Sequence, residues 1–375
     1  QPDIIPFARY SMLGDPNAAF GGRWAIDSQT VTLFRNDQQS VSKISAVPSW
    51  ERRDILPVGI QTNVEGKLRA DGYWIRQPSP YDTTSGNNID ATETRFVPSV
   101  QTAASYPMIR PSGALTALIE PKAALTLIPN TSSSSIPNED SRDVEVNISN
   151  LFDDSRFAGT DRIENGSHVS YGVKMGGYYA NGDSAFVTLG QSYRLTGDNP
   201  FPDGSGLEND RSDYVGQIET TFNDRYYTDY RFQLSGGDLQ SRRHELQTAL
   251  LDDKYELRGS YIFAQEVDGT GISTNRQQLG LSGAKALDKT WSVAADGLHD
   301  LSGDGGLLQS GLSLQYKNEC LRATLRGERD LTDRLTGGSD TRVMFSLGLR
   351  NLGGYDTPLL EDDPLYRPFG TERKL

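Results

Sequence analysis

The chain holds one cysteine, Cys320, among 375 residues, so no disulfide can close within it. It holds three histidines, His168, His244 and His299, which leaves few candidates for an imidazole base. No run approaches the ~18 apolar residues that a membrane-spanning helix requires. Positive charge is short as well: 37 Lys and Arg stand against 50 Asp and Glu, a formal net charge of -13. That balance argues against nucleic acid as a partner. Metal-ligand spacing, a phosphate-cradling glycine loop and a nucleotide fingerprint are all missing from the sequence. Accordingly no catalytic residue, cofactor or metal site is expected. The opening "QPDIIPFARY" lacks the basic start and apolar core of a secretory signal, so we expect a removed signal or a piece of a longer protein.

What the chain has is alternation. In "GIQTNVEGKLRADGYW" (59–74), Ile60, Val64, Leu68, Ala70 and Trp74 share one parity, while Glu65, Lys67, Arg69 and Asp71 share the other. Successive strand residues point to opposite faces, so this stretch is a long strand with one lean apolar side and one charged side. "RYYTDYRFQL" sets Tyr226, Tyr230 and Phe232 against Asp229 and Arg231. "CLRATLRGERD" sets Leu321 and Leu325 against Arg322, Arg326 and Glu328, and "RVMFSLGLRN" aligns Val343, Phe345, Leu347 and Leu349. Helical spacing would mix charge into every stripe. About 17 such strands are expected. By the same parity Arg243 and Glu245 share the charged side, and His244 and His299 the apolar one. His168 lies beside Ser167 without further organisation, which is a poor start for a nucleophile.

The connections alternate too. Tight turns at 181–183, 223–224, 252–254, 288–289 and 318–319 are interleaved with longer links at 196–212, 235–241, 267–275, 302–306 and 332–340. Tight turns at one end and long loops at the other describe an all-β, antiparallel, up-and-down transmembrane β-barrel of the outer-membrane type. A mean hydropathy of -0.55 is compatible with that, because lipid-facing and lumen-facing residues alternate. A soluble β-sandwich has fewer, shorter strands and no such alternation of links. Residues 1–352 are expected to form the barrel portion, with large extracellular loops near 76–94, 129–166 and 196–212. Residues 353–375 are expected as a periplasmic C-terminal tail, in which Pro358, Pro364 and Pro368 would limit ladder growth. The acidic link 196–212 is read as a solvated loop in preference to a cation site. Seventeen is odd, and bacterial single-chain barrels close on an even count, so an N-terminal part is expected to be missing.

One segment lacks any regular pattern yet, with Leu151, Phe152, Phe157 and Ile163, is too apolar for a solvated linker and is expected to pack on itself or plug the lumen mouth: "IPNEDS…NLFDDSRFAGTDRIENGSHVSYG". It resembles the signature region of the LptD family, the lipopolysaccharide-assembly proteins of the Gram-negative outer membrane. "LRADGYW" and "ALIEPKAALTLIPN" before it, and "YKNECLRATLRGERDL" and "FSLGLRNLGGY" after it, are similar to strands of the same family. The resemblance implies a portion of a 26-stranded barrel that inserts lipopolysaccharide into the outer leaflet. Sugars would pass through the hydrophilic lumen and acyl chains through a lateral gate between the first and last strands. The gate strand here would be 341–351, with Val343, Phe345, Leu347 and Leu349. The implied partners are lipopolysaccharide, an LptE-like lipoprotein plug, outer-membrane lipid, and a periplasmic lipopolysaccharide-bridge protein reached through the missing N-terminal domain. The signature loop, taken as extracellular, carries Asn150, Leu151, Phe152, Arg156, Phe157, Gly159, Asp161 and Arg162. Cys320 matches a family position bonded to the periplasmic domain, which makes it the candidate interdomain disulfide.

The charged parity supplies Glu65, Lys67, Arg69, Asp229, Arg231, Arg243, Glu245, Arg322, Arg326 and Glu328 as lumen-facing candidates for lipopolysaccharide or plug contact. The plainer alternative is that they only keep the lumen wet. A general diffusion porin of the outer membrane is the rival reading, since strand pattern alone fits both.

Overall fold

The computed structural model describes residues 3–35, 39–78, 88–131, 135–141, 145–267, 274–303, 305–331 and 339–349. The expected tail 353–375, with its three prolines, lies outside the described residues, as do positions 350–352 of the barrel portion. Eighteen strands form one sheet. In chain order they are β1 (Asp3–Leu13), β2 (Arg23–Phe34), β3 (Ser40–Ile55), β4 (Gln61–Pro78), β5 (Asn88–Ser105) and β6 (Met108–Pro111). Next come β7 (Leu115–Leu127), β8 (His168–Tyr179), β9 (Ser184–Arg194), β10 (Tyr214–Phe222), β11 (Tyr226–Leu234) and β12 (Ser241–Leu251). The last six are β13 (Tyr255–Ala264), β14 (Arg276–Ala286), β15 (Trp291–Asp300), β16 (Gly306–Lys317), β17 (Leu321–Asp330) and β18 (Asp340–Leu349). One 3-10 turn, Ala19–Gly21, joins β1 to β2.

Apart from β5 and β6, neighbours in the chain pair antiparallel among the described residues, as in an up-and-down outer-membrane β-barrel. β5 and β6 are two parts of one stave: both pair with β7, on either side of a break at Tyr106 and Pro107. Counted as staves, the strands number seventeen. Between β10 and β11 the chain reverses in three residues, 223–225, with Asn223 and Asp224 both at positive φ, the conformation that suits the right-handed twist of a hairpin.

The ladder between β4 and β5 runs further than the apolar pattern implied. Arg76–Pro78 and Asn88–Thr94, expected within the 76–94 loop, continue the pairing. Backbone hydrogen bonds do not need apolar side chains, and the exposed Arg76–Asp90 pair spans that end at 3.6 Å.

Parity sorts the two faces as expected. Ile44, Trp74, Phe96, Leu312 (61% exposed) and Phe345 (69% exposed) project from the convex side. Such a belt of bare apolar side chains fits hydrocarbon and not water. At the tight-turn end it is rimmed by exposed rings, Trp24, Phe222, Tyr226, Tyr255 and Trp291, the placement of an interfacial aromatic girdle. Polar side chains and most buried residues lie on the opposite, concave side.

The long link 128–167 does not stand clear of the wall. The ladder from β5 to β7 stops at Val100 and Leu127, next to Pro98, whose missing N–H suits it to the end of a pairing. Beyond it the chain turns inward at the buried Ile128. The described part of the link then packs on the concave face from β2 to β12, which fits the expectation of a loop that packs on itself or plugs the lumen mouth. Its apolar residues are the reason, because exposure to water would waste their burial.

Candidate functional site

Four clusters position the inserted segment, three against its surroundings and one within its own turn. The first centres on Asp161. Its Oδ1 accepts from Lys43 Nζ at 2.7 Å and from the Tyr73 hydroxyl at 3.2 Å, and its Oδ2 accepts from the Glu139 backbone N–H at 2.9 Å. Arg95 donates to the Asp161 and Thr160 carbonyls, each at 2.6 Å, and to Asp71 at 2.8 Å through Nε. Asp71 is further fixed by Ser45 at 2.5 Å. Lys43, Asp71, Tyr73, Arg95 and Asp161 are all buried. A charge buried in this way is tolerated only when paired and fully hydrogen-bonded, which is the case here.

Second, Asp140 organises the turn that presents Asp161. Its Oδ1 accepts from the backbone N–H groups of Thr160 at 3.0 Å and Asp161 at 2.9 Å. Gly159 lies so close to Asp140 that a Cβ there would overlap its carbonyl oxygen. Burial alone would raise the Asp140 carboxyl. The Ser141 hydroxyl, the two N–H groups and the Lys43 ammonium outweigh it and hold the group well below the usual carboxylate range.

The third anchor is Arg156, which forks onto Glu164, with Nε to Oε2 at 2.7 Å, and donates to Ser192 at 2.7 Å. Burial, and after it the Arg194 guanidinium, push Arg156 down to about 9, which leaves it charged at neutral pH. His168 faces the same Glu164 at 3.4 Å and is buried. Ser167 takes no part in that cluster; its backbone N–H donates to Thr196.

The fourth is apolar. Val146, Leu151 and Phe157 of the segment form a buried cluster with Phe201, Leu207 and Val215. Phe157 stacks on Phe201 at 4.8 Å between centroids. Gly190 of β9 leaves the space that Leu151 fills. Each such burial contributes about 1.5–3 kcal/mol relative to exposure, whereas buried ion pairs roughly break even with apolar isosteres. The cluster therefore holds the segment in place, and the ion pairs set its register.

The expected inward charges divide into two groups. Lys67 joins the inserted segment, sitting 3.0 Å from Glu65 and 3.1 Å from Asp154. Arg243 does the same between Glu245 and Glu145, at 2.5 and 2.6 Å. Arg69 braces Ser45 and Asp71 at 3.3 and 3.5 Å. Asp229 and Arg231 pair with each other at 3.1 Å, and Arg326 bridges Asp296 and Glu328 at 2.9 and 3.3 Å, away from the contacts just described. Arg322 is exposed near the tight-turn end, opposite Lys317. His244 accepts or donates at 2.7 Å with the Tyr230 hydroxyl beside the apolar belt. Cys320 is exposed in the turn before β17.

In the signature stretch, Asn150 pins its own turn through the Glu145 carbonyl and the Asn147 N–H. Phe152 offers its carbonyl to Gln101 at 3.1 Å, and Arg162 donates to the Ile136 carbonyl at 2.9 Å. The gate candidates Val343, Phe345, Leu347 and Leu349 are all exposed on β18, which pairs with β17. Sequence reasoning missed Arg35, Lys43, Arg95, Glu139, Asp140 and Glu164. Arg35 grips Glu139 bidentately at 2.8 and 3.1 Å. The strand residues Lys43 and Arg95 were within reach, because both have the inward parity of their strands; the loop residues carried no such signal.

A family model described as LPS transport system D, LptD, matches residues 1–291. The LPS-assembly protein LptD of Escherichia coli strain K12 is 24% identical over 321 residues, covering 77% of this chain and 40% of that protein. Its Vibrio cholerae serotype O1 counterpart is 24% identical over 268 residues, covering 64% and 33%. The chain thus spans a third to two-fifths of the length of these relatives. Among solved structures, a mutant Rh. blastica porin aligns over 93% of this chain and 99% of its own, at 10% identity and a TM-score of 0.32. The Acinetobacter baumannii siderophore receptor PirA aligns over 87% and 64%, at 10% identity and a TM-score of 0.35.

Proposed function

This chain belongs to the LptD family, and we propose that it forms part of an outer-membrane translocon that inserts lipopolysaccharide into the outer leaflet. Sugars travel along the polar concave face, and acyl chains leave through a lateral gate that includes β18. The tight turns and the C-terminus face the periplasm. An LptE-like lipoprotein sits against the concave face, and a periplasmic bridge protein delivers the lipid through parts of the protein beyond this chain. Cys320, exposed at the turn end, ties barrel to delivery domain by a disulfide. The transport step in this reading calls on no covalent chemistry by the chain.

The observation that carries the proposal, beyond family membership, is the inserted segment. A porin too folds a constriction loop inward, but here a buried ion pair at Lys43–Asp161, a partly exposed one at Arg243–Glu145 and an apolar cluster hold a longer stretch across the concave face from β2 to β12. An insertion tied at so many points suits a conduit that opens only for its own cargo.

The test places a photo-crosslinking residue at Arg231 or Glu328 of the full-length protein in living cells. Lipopolysaccharide should be captured while the inner-membrane supply runs, and capture should cease within minutes of stopping it. Steady ohmic conductance of the purified protein in a planar bilayer, with no such capture, would support the porin instead.

A further inference from the structure

We infer that a groove on the concave face at the tight-turn end of β8–β12, beyond the reach of the inserted segment's anchors, is a binding subsite for uncharged saccharide units. The inference rests on the translocon reading for its cargo but on its own residues for its chemistry. The groove has a volume of about 400 Å³, within the range of small-ligand pockets. Its lining includes Tyr178, Phe186, Glu219, Tyr227 and Asp229, with Lys174 at one side.

Aromatic rings on the watery side of a barrel wall are unexpected, because that face otherwise needs only polar groups. Tyr178 is 58% exposed, and its ring is held edge-on by the buried Phe186 at 5.0 Å between centroids. Phe186 is held in turn by the Lys174 ammonium, 4.7 Å from its centroid. Tyr227 is fixed by its hydroxyl, which donates to the Asp224 carbonyl at 3.0 Å. Two positioned rings thus border one cavity. A pyranose presents a face of C–H bonds that packs on the negative face of such a ring, while its rim of hydroxyls needs acceptors. Glu219 and Asp229 supply them.

The charges select against anions. Lys174 already pairs with Glu219 at 3.6 Å, and Arg231 with Asp229 at 3.1 Å. A phosphate would therefore meet two carboxylates whose cations are engaged. Neutral hydroxylated rings meet no such penalty.

The experiment uses the full-length parent protein in detergent micelles with the companions it carries, and maltotriose as a neutral saccharide probe. Saturation-transfer NMR should show magnetisation passing to the sugar ring protons. Tyr178→Ala with Tyr227→Ala should reduce the transfer about tenfold, and Glu219→Gln about threefold, while Tyr178→Phe with Tyr227→Phe keeps most of it. Excess inorganic phosphate should leave the signal unchanged. Heat-modifiable gel mobility confirms that each variant retains its barrel. Absent transfer in the parent, transfer indifferent to the alanine pair, or displacement by phosphate would overturn the subsite. If lipopolysaccharide capture at Arg231 or Glu328 persists in that event, only the subsite falls and the translocon stands.

Discussion

Lys43 of β3 and Asp161 of the inserted segment, 118 positions apart, meet at 2.7 Å with their side chains 4% and 5% exposed. One ion pair thus joins the barrel wall to the stretch inserted against it, in a setting where neither charge reaches water. Removing one partner leaves the other buried and uncompensated, at a cost of about 3–5 kcal/mol. Asp161→Ala should therefore free the segment, seen as a sharpened spectrum from a spin label at Ala158→Cys, an exposed position three residues away. Replacing both partners together, as Lys43→Met with Asp161→Leu, should cost far less than the sum of the single changes.

Gly159 predicts a purely steric effect. A Cβ there overlaps the Asp140 carbonyl oxygen, so Gly159→Ala must displace the turn that presents Asp161. Overpacking of this kind costs about 1–3 kcal/mol. Gly113→Ala meets nothing within 4 Å and serves as the neutral comparison. Detergent-solubilised protein should show the difference as proteolytic cutting within 145–165 for the first variant and none for the second.

The depressed Asp140 carboxyl gives a pH dependence with a definite sign. A group whose folded pKa lies below its unfolded one stabilises the fold fully above the unfolded value, and loses that contribution as pH falls through the folded value. The contribution of Asp140 to docking should be full at neutral pH, begin to decline as pH falls through the ordinary carboxylate range, and be lost only under strongly acidic conditions. The Ala158 spin label should report this, and Asp140→Asn should loosen the label at neutral pH and flatten the acid step. A mobile-label transition near pH 6 would contradict the assignment.

Leu151 tests the apolar anchor. Fully buried and fitted against Gly190, it should cost about 2–5 kcal/mol on truncation to alanine. Release of the segment by Leu151→Ala should match or exceed that by Arg243→Met, since Arg243 meets Glu145 at the partly exposed edge of the insertion.

Face assignment is open to direct measurement. Nitroxides at Leu312 and Phe345 should relax with dissolved oxygen, which concentrates in acyl chains. Those at Ser313 and Glu328, on the other parity, should respond to a water-soluble nickel complex. Reversal of the two patterns would invert the barrel.

Much of this architecture was legible in the chain. Leu68 and Trp74 alternate with Lys67, Arg69 and Asp71, and that local period is enough to assign both faces of β4. Asn223 and Asp224, between two such periods, mark a hairpin for the same reason. The outer end of the β4–β5 hairpin was not legible, because Arg76 and Asp90 extend a ladder whose energy lies in the backbone. The inserted segment was legible as a stretch containing Leu151, Phe152 and Phe157 that must pack on itself or plug the lumen mouth, but with no strand period to say which residues would grip it.

The sequence by itself determined an antiparallel wall with an apolar and a polar side, because side-chain direction in a strand depends only on parity along the chain. Tertiary structure alone decided where the irregular stretch goes and what grips it. Asp161 acquires Lys43 and Tyr73 from strands 118 and 88 residues away, and Arg95 reaches the carbonyls beside it; no local rule links a loop carboxylate to Lys43 until the wall curves and brings the two within hydrogen-bonding distance.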